Sequence, residues 1–184
     1  MTGLNHNSRI NLEKAEVLLL DENLEGMGVL LQIISAFGVR NHYRCRSEQE
    51  AKKEALSREL DLILVGANGQ DSSSYDFIRW LRRSGLEPNA FTPTVLISGH
   101  TQLHNVQRAR DCGANYIVAK PVSPDVLLER IVWVAREKRE FIFCDSYVGP
   151  DRRVHDVGPP RGMAERRRPQ EAPDSDTQAG GASR

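Results

Sequence analysis

The sequence predicts a doubly wound parallel α/β fold built from five strand–helix units. Three observations lead to this prediction. Short apolar runs recur along residues 14–140, as expected for strands covered on both faces. Segments with apolar residues at helical spacing separate these runs, and glycines follow several of the segments. Alternation of this kind is typical of a parallel sheet with helices on both sides.

The first unit begins with VLLL at 17–20, which is a wholly apolar run. Apolar residues from Met27 to Ile34 then recur at helical spacing, and Gly38 suits the end of that helix. The segment VRNHYRC at 39–45 is the expected second strand.

The second and third units follow the same order. Ser47 is the expected N-cap of a helix, since Glu50 three residues later completes a capping box. DLILVG at 61–66 is the third strand. Phe77, Trp80 and Leu81 mark the next helix, which we expect to end near residues 84–85.

The last two units complete the sheet. TVLIS at 94–98 is the fourth strand, followed by a helix over 102–111 that stops at Gly113. NYIVA at 115–119 is the fifth strand, and the final helix is expected over 124–139.

Composition excludes several classes of protein. The 184 residues include 25 basic and 25 acidic side chains, and this neutrality argues against a whole-chain nucleic-acid binder. No apolar stretch approaches a membrane span and the N-terminus lacks a signal peptide's apolar core, so we expect a cytoplasmic protein. The three cysteines are widely spaced without a CxxC pair, so neither a disulfide framework nor a zinc site is indicated.

Hydrophobicity divides the chain into three parts. We expect a flexible N-terminus at 1–13, a globular domain at 14–140 and a largely disordered tail at 141–184. The tail has no Leu, Ile or Phe from Pro150 onward, so it buries too little apolar surface to offset the cost of ordering. Gly-Pro turns in the tail are followed by arginines, and Arg152 and Arg153 are candidates for binding acidic groups on a partner. The alternative is that the tail is a solvated linker without a binding role.

Polar residues lie at the ends of three of the five strands. They are Asp21-Glu22 after the first strand, Ser98 at the end of the fourth and Lys120-Pro121 after the fifth, while Gly66 ends the third. Ligands of doubly wound folds bind beyond the carboxyl ends of the strands. Two carboxylates suit Mg²⁺, and a hydroxyl with an ammonium group suits phosphoryl oxygens.

These residues resemble the receiver domains of bacterial two-component response regulators. The resemblance covers roughly residues 15–138 and is carried by VLLLDEN, DLILV, TVLISG, GANYIVAKPV and the spacing of the elements. It implies a CheY-like, flavodoxin-like fold whose acidic pair, Asp21 and Glu22, holds Mg²⁺ beside an acceptor Asp at the end of strand three. It also implies that Ser98 is the switch hydroxyl, Lys120 pairs with phosphate and Pro121 follows a cis peptide.

The sequence departs from the family pattern at the acceptor position. Aligned without gaps, DLILVGANGQDSSSYDF places Gly66 where the acceptor Asp belongs, and glycine has no oxygen to phosphorylate or to bind a metal. The family's switching aromatic is likewise replaced by Ile117, while Tyr116, one residue away, points to the opposite face. Without a phosphoryl group, Lys120 is expected to pair with Asp21 or Glu22.

The final helix carries a broader apolar arc than one sheet face requires. Leu128, Val132 and Trp133 extend the stripe that faces the sheet. Residues 141–143 fold over this arc, or another subunit covers it, or the helix is deeply embedded; the sequence leaves these open. The resemblance favours a partner surface, since receivers commonly meet partners on this face. The residues expected on it are Ile117, Leu128, Val132 and Trp133.

We therefore expect a degenerate receiver, or pseudo-receiver, that acts by phosphorylation-independent protein–protein interaction and is not an enzyme. The expected partner is a histidine kinase, a response regulator or a localisation factor, with a homodimer as a further option and neither membrane nor nucleic acid as a target. No cofactor is expected, although weak Mg²⁺ binding at Asp21 and Glu22 stays open. The alternative is a stand-alone regulator that still switches through Mg²⁺ or a non-standard acceptor. A third and more remote hypothesis is an enzyme that acts on a phosphorylated small molecule.

Overall fold

A computed structural model of the chain contains the predicted five-stranded parallel sheet. It describes residues 12–68, 73–99, 103–136 and 139–151, without the side chains of 103–106. The strands and helices alternate, with a short 3-10 turn at Asn89–Phe91 before β4. The elements are β1 Glu16–Leu20, α1 Leu24–Ala36, β2 Asn41–Cys45, α2 Glu48–Ser57, β3 Leu62–Ala67, α3 Ser73–Arg83, β4 Thr94–Ser98, α4 Leu103–Asp111, β5 Tyr116–Ala119, α5 Pro124–Arg136, β6 Phe141–Cys144 and β7 Tyr147–Pro150.

The strand order β2-β1-β3-β4-β5 confirms the doubly wound prediction. Because the chain leaves β1 in one direction for β2 and crosses to the other side for β3, the order reverses between β1 and β3. Leu20 is paired with Val65 and Ala67 with Ser98. The carboxyl ends of β1, β3 and β4 therefore meet at one edge, where the sequence predicts the site.

Two apolar layers hold helices against the sheet. Leu30 and Ile34 of α1 and Leu127 and Ile131 of α5 belong to the cluster on one face. The cluster on the other face includes residues of α2, α3 and α4. Ser47 caps α2 as predicted, since its Oγ accepts the Glu50 N–H at 3.2 Å.

The predicted start of the disordered tail at residue 141 is wrong. Residues 141–150 instead form an antiparallel hairpin of β6 and β7. Tyr147 is buried, and its hydroxyl donates to the carbonyl oxygen of Pro150 at 2.8 Å. Phe141 packs on Phe91, with ring centroids 4.9 Å apart. The segment is thus ordered mainly through β7, in which Tyr147, Gly149 and Pro150 are buried, although the composition of the tail as a whole does not favour order. Arg152 and Arg153 lie outside the described residues.

Arg82 at the end of α3 joins the hairpin to the domain. Its guanidinium is buried, and this burial lowers its pKa to about 10. It lies over the Phe141 ring, 5.3 Å from the centroid. Five oxygens accept its N–H groups: the carbonyls of Gly113, Ala90 and Thr92, the hydroxyl of Thr94 and the side chain of Asn115. These acceptors satisfy the hydrogen-bonding capacity of the buried guanidinium. β7 packs directly on the α4–β5 loop, since a Cβ added at Gly113 would lie 2.7 Å from the Val148 carbonyl oxygen.

Candidate functional site

The predicted site lies at the carboxyl edge of the sheet. Asp21 directly follows β1, and continuing the register from Leu20 and Val65 sets it beside Gly66 of β3. Lys120 follows β5, and its backbone N–H donates to the Ser98 carbonyl oxygen at 2.8 Å. The fold therefore brings together residues that are about a hundred positions apart in the chain.

Asp21 is the centre of this site. Its side chain is fully buried. Its Oδ1 accepts the Asn23 N–H at 2.9 Å and the Asn68 Nδ2–H at 2.7 Å, and its Oδ2 lies 3.5 Å from Lys120 Nζ. A buried carboxylate is costly unless it is hydrogen-bonded and paired, and these three donors meet that requirement. The prediction that Lys120 pairs with Asp21 is confirmed in this geometry.

Asn68 is a member of the site that the sequence does not reveal. Its Oδ1 accepts a hydrogen bond from Lys120 Nζ at 2.9 Å while its Nδ2 donates to Asp21. The side-chain amide thus bridges the ammonium and the carboxylate, one hydrogen bond to each. The only signal in the sequence is its place two residues after Gly66, at the end of a buried strand.

Two glycines create the space that the Asp21 carboxylate occupies. A Cβ built on Gly66 would lie 2.1 Å from Asp21 Oδ2 and 2.4 Å from its Cγ. A Cβ on Gly26, in the first turn of α1, would lie 2.4 Å from the same oxygen. Because real Cβ atoms do not approach so closely, any larger residue at 66 requires Asp21 to move. The carboxylate lies where a side chain on residue 66 would project.

The second predicted carboxylate does not join this centre. Glu22 is exposed and accepts a hydrogen bond from the Ser73 hydroxyl at the start of α3. The neighbouring Ser74 is buried and donates to the Gly66 carbonyl oxygen at 2.7 Å. Within the described ranges no group of three His, Cys, Asp or Glu side chains is arranged to hold a metal ion.

The donor set at this edge does not fit a divalent cation in this arrangement. Mg²⁺ requires several oxygen ligands in near-octahedral geometry. One carboxylate, Asp21, is already hydrogen-bonded on both sides, the other, Glu22, lies at the surface, and Gly66 has no side-chain oxygen. The Mg²⁺ site that the resemblance implies therefore needs Asp21 to be released from its present contacts.

A family model and several relatives match the chain. The model described as the response regulator receiver domain matches residues 9–132, about two thirds of the chain. The chain belongs to the response regulator receiver family. The cell cycle response regulator CtrA of Brucella ovis is 31% identical over 81 residues, which cover 44% of this chain and 33% of the relative. The match thus spans about a third of that relative's length.

Solved structures agree on the fold of this receiver. A receiver domain protein from Methanospirillum hungatei superposes with a TM-score of 0.57 at 18% identity, covering 66% of this chain and 93% of that one. The receiver domain of a sensor histidine kinase from Pseudomonas aeruginosa, described with a magnesium ion in its active-site cleft, gives 0.60 at 19%, covering 67% and 98%. A CheY chemotaxis protein of Vibrio cholerae gives 0.58 at 22%, covering 65% and 98%. These likenesses confirm the CheY-like fold.

The remaining predicted features of the receiver lie around β5. The Lys120–Pro121 peptide is cis, as the resemblance implies. Ile117 packs against the cluster on the α2, α3 and α4 face, whereas Tyr116 packs against the opposite cluster. The expected one-residue shift to the other face is therefore confirmed, and the aromatic at 116 lies on the α5 side.

The α5 surface is only partly covered. Leu128, Val132 and Trp133 are half-buried, and Trp133 packs edge-on against Tyr116 with centroids 5.3 Å apart. The idea that residues 141–143 fold over this helix is wrong, since Phe141 and Phe143 pack on Phe91 instead. Receivers interact with signalling proteins such as kinases and other regulators.

In the described part of the chain, no helix has the length and apolar character needed to cross a membrane.

Proposed function

We propose that this chain is a degenerate receiver that acts through protein–protein contact, independently of phosphorylation at the end of β3. The observation that carries the proposal is the Asp21 carboxylate above Gly66, at 2.1 Å from where a Cβ would lie. Gly66 supplies no carboxylate to accept a phosphoryl group, and the space for one is taken. The Asp21–Asn68–Lys120 network then stabilises the fold, and the chain binds a partner protein without catalysing a reaction.

The same network supports a fixed rather than a switching site. In the family pattern the lysine pairs with the phosphate, whereas here Lys120 Nζ is already bonded to Asn68 at 2.9 Å. A phosphoryl group or a mimic would have to compete with internal partners that are present at high effective concentration. The absence of an aromatic at Ile117 removes the side chain through which many receivers report such binding.

The proposed contact surface is the exposed side of α5. Leu128, Val132 and Trp133 are half-buried there, and Val126 is 40% exposed. Clustered apolar side chains of this kind mark interaction sites more often than isolated ones do. The partner we propose is a signalling protein: a histidine kinase, another response regulator or a localisation factor, with self-association as a further mode. The chain itself is proposed to need no cofactor.

A phosphorylation-mimic titration tests this function. We expect Mg²⁺ with fluoroberyllate or a small phosphoryl donor to leave the backbone amide spectrum around Ser98 and Lys120 unchanged. Saturable shifts at these two residues would refute the proposal and favour the alternative, a receiver that switches through Mg²⁺ at Asp21 and Glu22 or through another acceptor. The control is a Gly66→Asp variant, which restores a carboxylate at the acceptor position. Because Asp21 fills the space above residue 66, a Gly66→Asp, Asp21→Ala variant is measured beside it, in which the obstructing carboxylate is removed.

The contact surface has its own test. A full-length Val132→Glu variant is expected to lose its partner in a binding assay with the kinases and regulators of the same cell. A Leu56→Glu variant is the matched control, because Leu56 of α2 is 63% exposed and lies outside the α5 surface. Equal loss in both variants, or in neither, would contradict the assignment of α5.

A further inference from the structure

The outer strand of the hairpin is exposed and apolar. Most side chains of β6 are exposed to solvent: Phe143 is 65% exposed and Ile142 is 36% exposed. The neighbouring Phe91 is 39% exposed. β7 is largely buried and lies against the domain. Phe143 lies beside Phe91, with ring centroids 6.2 Å apart, and Ile142 is exposed on the opposite face of β6, so both faces of this strand present apolar surface.

The pairing within the hairpin determines which backbone groups of β6 are free. Phe141 pairs with Pro150, which has no N–H, and the Asp151 N–H donates to the Glu140 carbonyl oxygen at 2.8 Å. Since hydrogen-bonded and non-hydrogen-bonded pairs alternate in antiparallel ladders, Glu140, Ile142 and Cys144 direct their backbone groups toward β7. The N–H and C=O groups of Phe141 and Phe143 therefore lie on the outer edge.

No described strand takes up that outer edge. The second sheet contains β6 and β7 alone, and the turn and loop hydrogen bonds found in the described ranges add only the Asp151 to Glu140 bond at this place. An unprotected edge with apolar side chains is a template for pairing with another strand. Natural proteins usually cover or charge such an edge, and FIFC carries no charge.

We propose that β6 pairs with β6 of a second copy of this chain in an antiparallel, two-fold symmetric dimer. The free groups select the register. An arrangement centred on Ile142 sets Phe141 opposite Phe143 of the second copy, so both free residues form hydrogen-bonded pairs and four backbone bonds join the copies. A shift by one residue would set free groups against occupied ones.

The side chains are complementary in the same register. Phe141 and Phe143 lie on the face that packs on Phe91, so the cross-strand pairs are aromatic on both sides of the axis. Arg139 comes opposite Asp145 of the second copy, so that its guanidinium, which lies over the Trp133 ring 4.7 Å from the centroid, exchanges this contact for an ion pair on each side of the axis. The register centred between Ile142 and Phe143 would instead set Glu140 against Asp145, a like-charge pair. Backbone pairing excludes registers shifted by one residue. Among registers shifted by two, the Arg139–Asp145 ion pairs and the Phe141–Phe143 pairs favour the one centred on Ile142.

This inference goes beyond the proposed function, because it uses the hairpin and not α5. Its first test is the mass of the full chain by light scattering at about 0.1 mM, where a dimer of micromolar Kd is almost fully formed. We expect a dimer, and a monomer would overturn the proposal. Phe143→Pro removes two of the four inter-copy bonds while leaving the bonds to β7 intact, so we expect the dimer Kd to rise about tenfold or more.

Charge exchange tests the register. Asp145→Arg or Arg139→Asp alone is expected to weaken the dimer, and the double exchange is expected to restore it. The folded state of each variant is checked by its thermal unfolding. Weakening without restoration, or no effect of either single change, would overturn the register.

A cross-link tests the axis directly. In a Cys144→Ser background, Ile142→Cys brings two thiols together across the axis with Cα atoms about 4.5 Å apart, within the range of a disulfide. Phe143→Cys in the same background is the control, because its two copies are separated by roughly 8 Å. We expect oxidation to link the first variant and not the second. A dimer that links both or neither is joined through another surface.

Discussion

Gly66→Ala is the substitution that most directly probes the receiver's site. Its methyl group would lie 2.1 Å from Asp21 Oδ2, and the same oxygen is bounded on the other side by Gly26, at 2.4 Å from a Cβ there. Only the lack of side chains at both glycines leaves room for the carboxylate in its present position. We expect Asp21 to leave its position and give up its hydrogen bonds to Asn68 and to the Asn23 N–H.

The magnitude follows from those contacts. Each hydrogen bond to a charged group contributes about 1.5–3 kcal/mol to stability, and two are lost with the displacement of Asp21. Replacing glycine by alanine in a strand returns about 0.5–1 kcal/mol through reduced backbone freedom. We therefore expect Gly66→Ala to lower the free energy of unfolding by about 2 kcal/mol or more.

Urea unfolding of a double-mutant cycle measures this effect. In an Asp21→Ala background the oxygen and the Cγ that obstruct the methyl group are gone, and the remaining contact is the residue-21 Cβ at 3.0 Å. The cost of Gly66→Ala should then be small, which gives a coupling free energy of about 2 kcal/mol between the two sites. Gly28→Ala in α1 is the control, because nothing lies within 4 Å of its Cβ, and we expect it to be neutral or stabilising.

Additive effects would refute the reasoning. If Gly66→Ala costs the same in both backgrounds, the Asp21 carboxylate does not occupy the space above residue 66. If the Gly66→Ala variant is as stable as the unmodified chain, the same conclusion follows. Either result would also remove the main support for phosphorylation-independent action.

Three further predictions concern other parts of the molecule. Lys120→Ala should lower the melting temperature and Lys120→Arg should restore part of it, because the buried Asp21 loses its cation. Gly113→Ala should destabilise the fold, measured in urea, more than Gly85→Ala does; both glycines have positive φ, but only a Cβ at Gly113 meets the hairpin. Burial raises the pKa of Cys45 to about 12, so this thiol should contribute a fall in stability of about 1 kcal/mol from pH 8 to pH 10, which Cys45→Ala should remove.

The sign of the pH prediction follows from proton binding. The thiol of Cys45 keeps its proton in the folded state at pH values where the unfolded chain has lost it, because its pKa is raised from 9.0 on folding. The folded state then binds more protons, and stability decreases as pH rises above about 9. A stability that rises over this interval would contradict the burial of the thiol.

Most of the candidate site follows from residue type and strand order. Asp21, Ser98 and Lys120 follow apolar runs, and parallel strands bring such positions to one edge whatever their separation in sequence. Asn68 could not be assigned in this way, because an asparagine after a strand is common in turns. Its bridging role depends on two partners whose distances only the folded chain defines.

The hairpin shows the opposite case. Its four-residue strands are too short and its surroundings too polar for a local pattern to predict order, and an isolated hairpin is marginal in water. The segment is ordered through contacts with Phe91 and Arg82, which lie far away in the chain. Composition averaged over 44 residues concealed the ten that pack.

The sequence by itself determined the doubly wound sheet, the edge at which the polar residues meet and the absence of a carboxylate at residue 66. These features depend on local periodicity and on residue identity, which the chain carries at every position. Tertiary structure alone decided that Asp21 fills the space above Gly66 and that β6 presents a free edge. Both depend on distances between residues remote in sequence, and those distances are set by packing rather than by local preference.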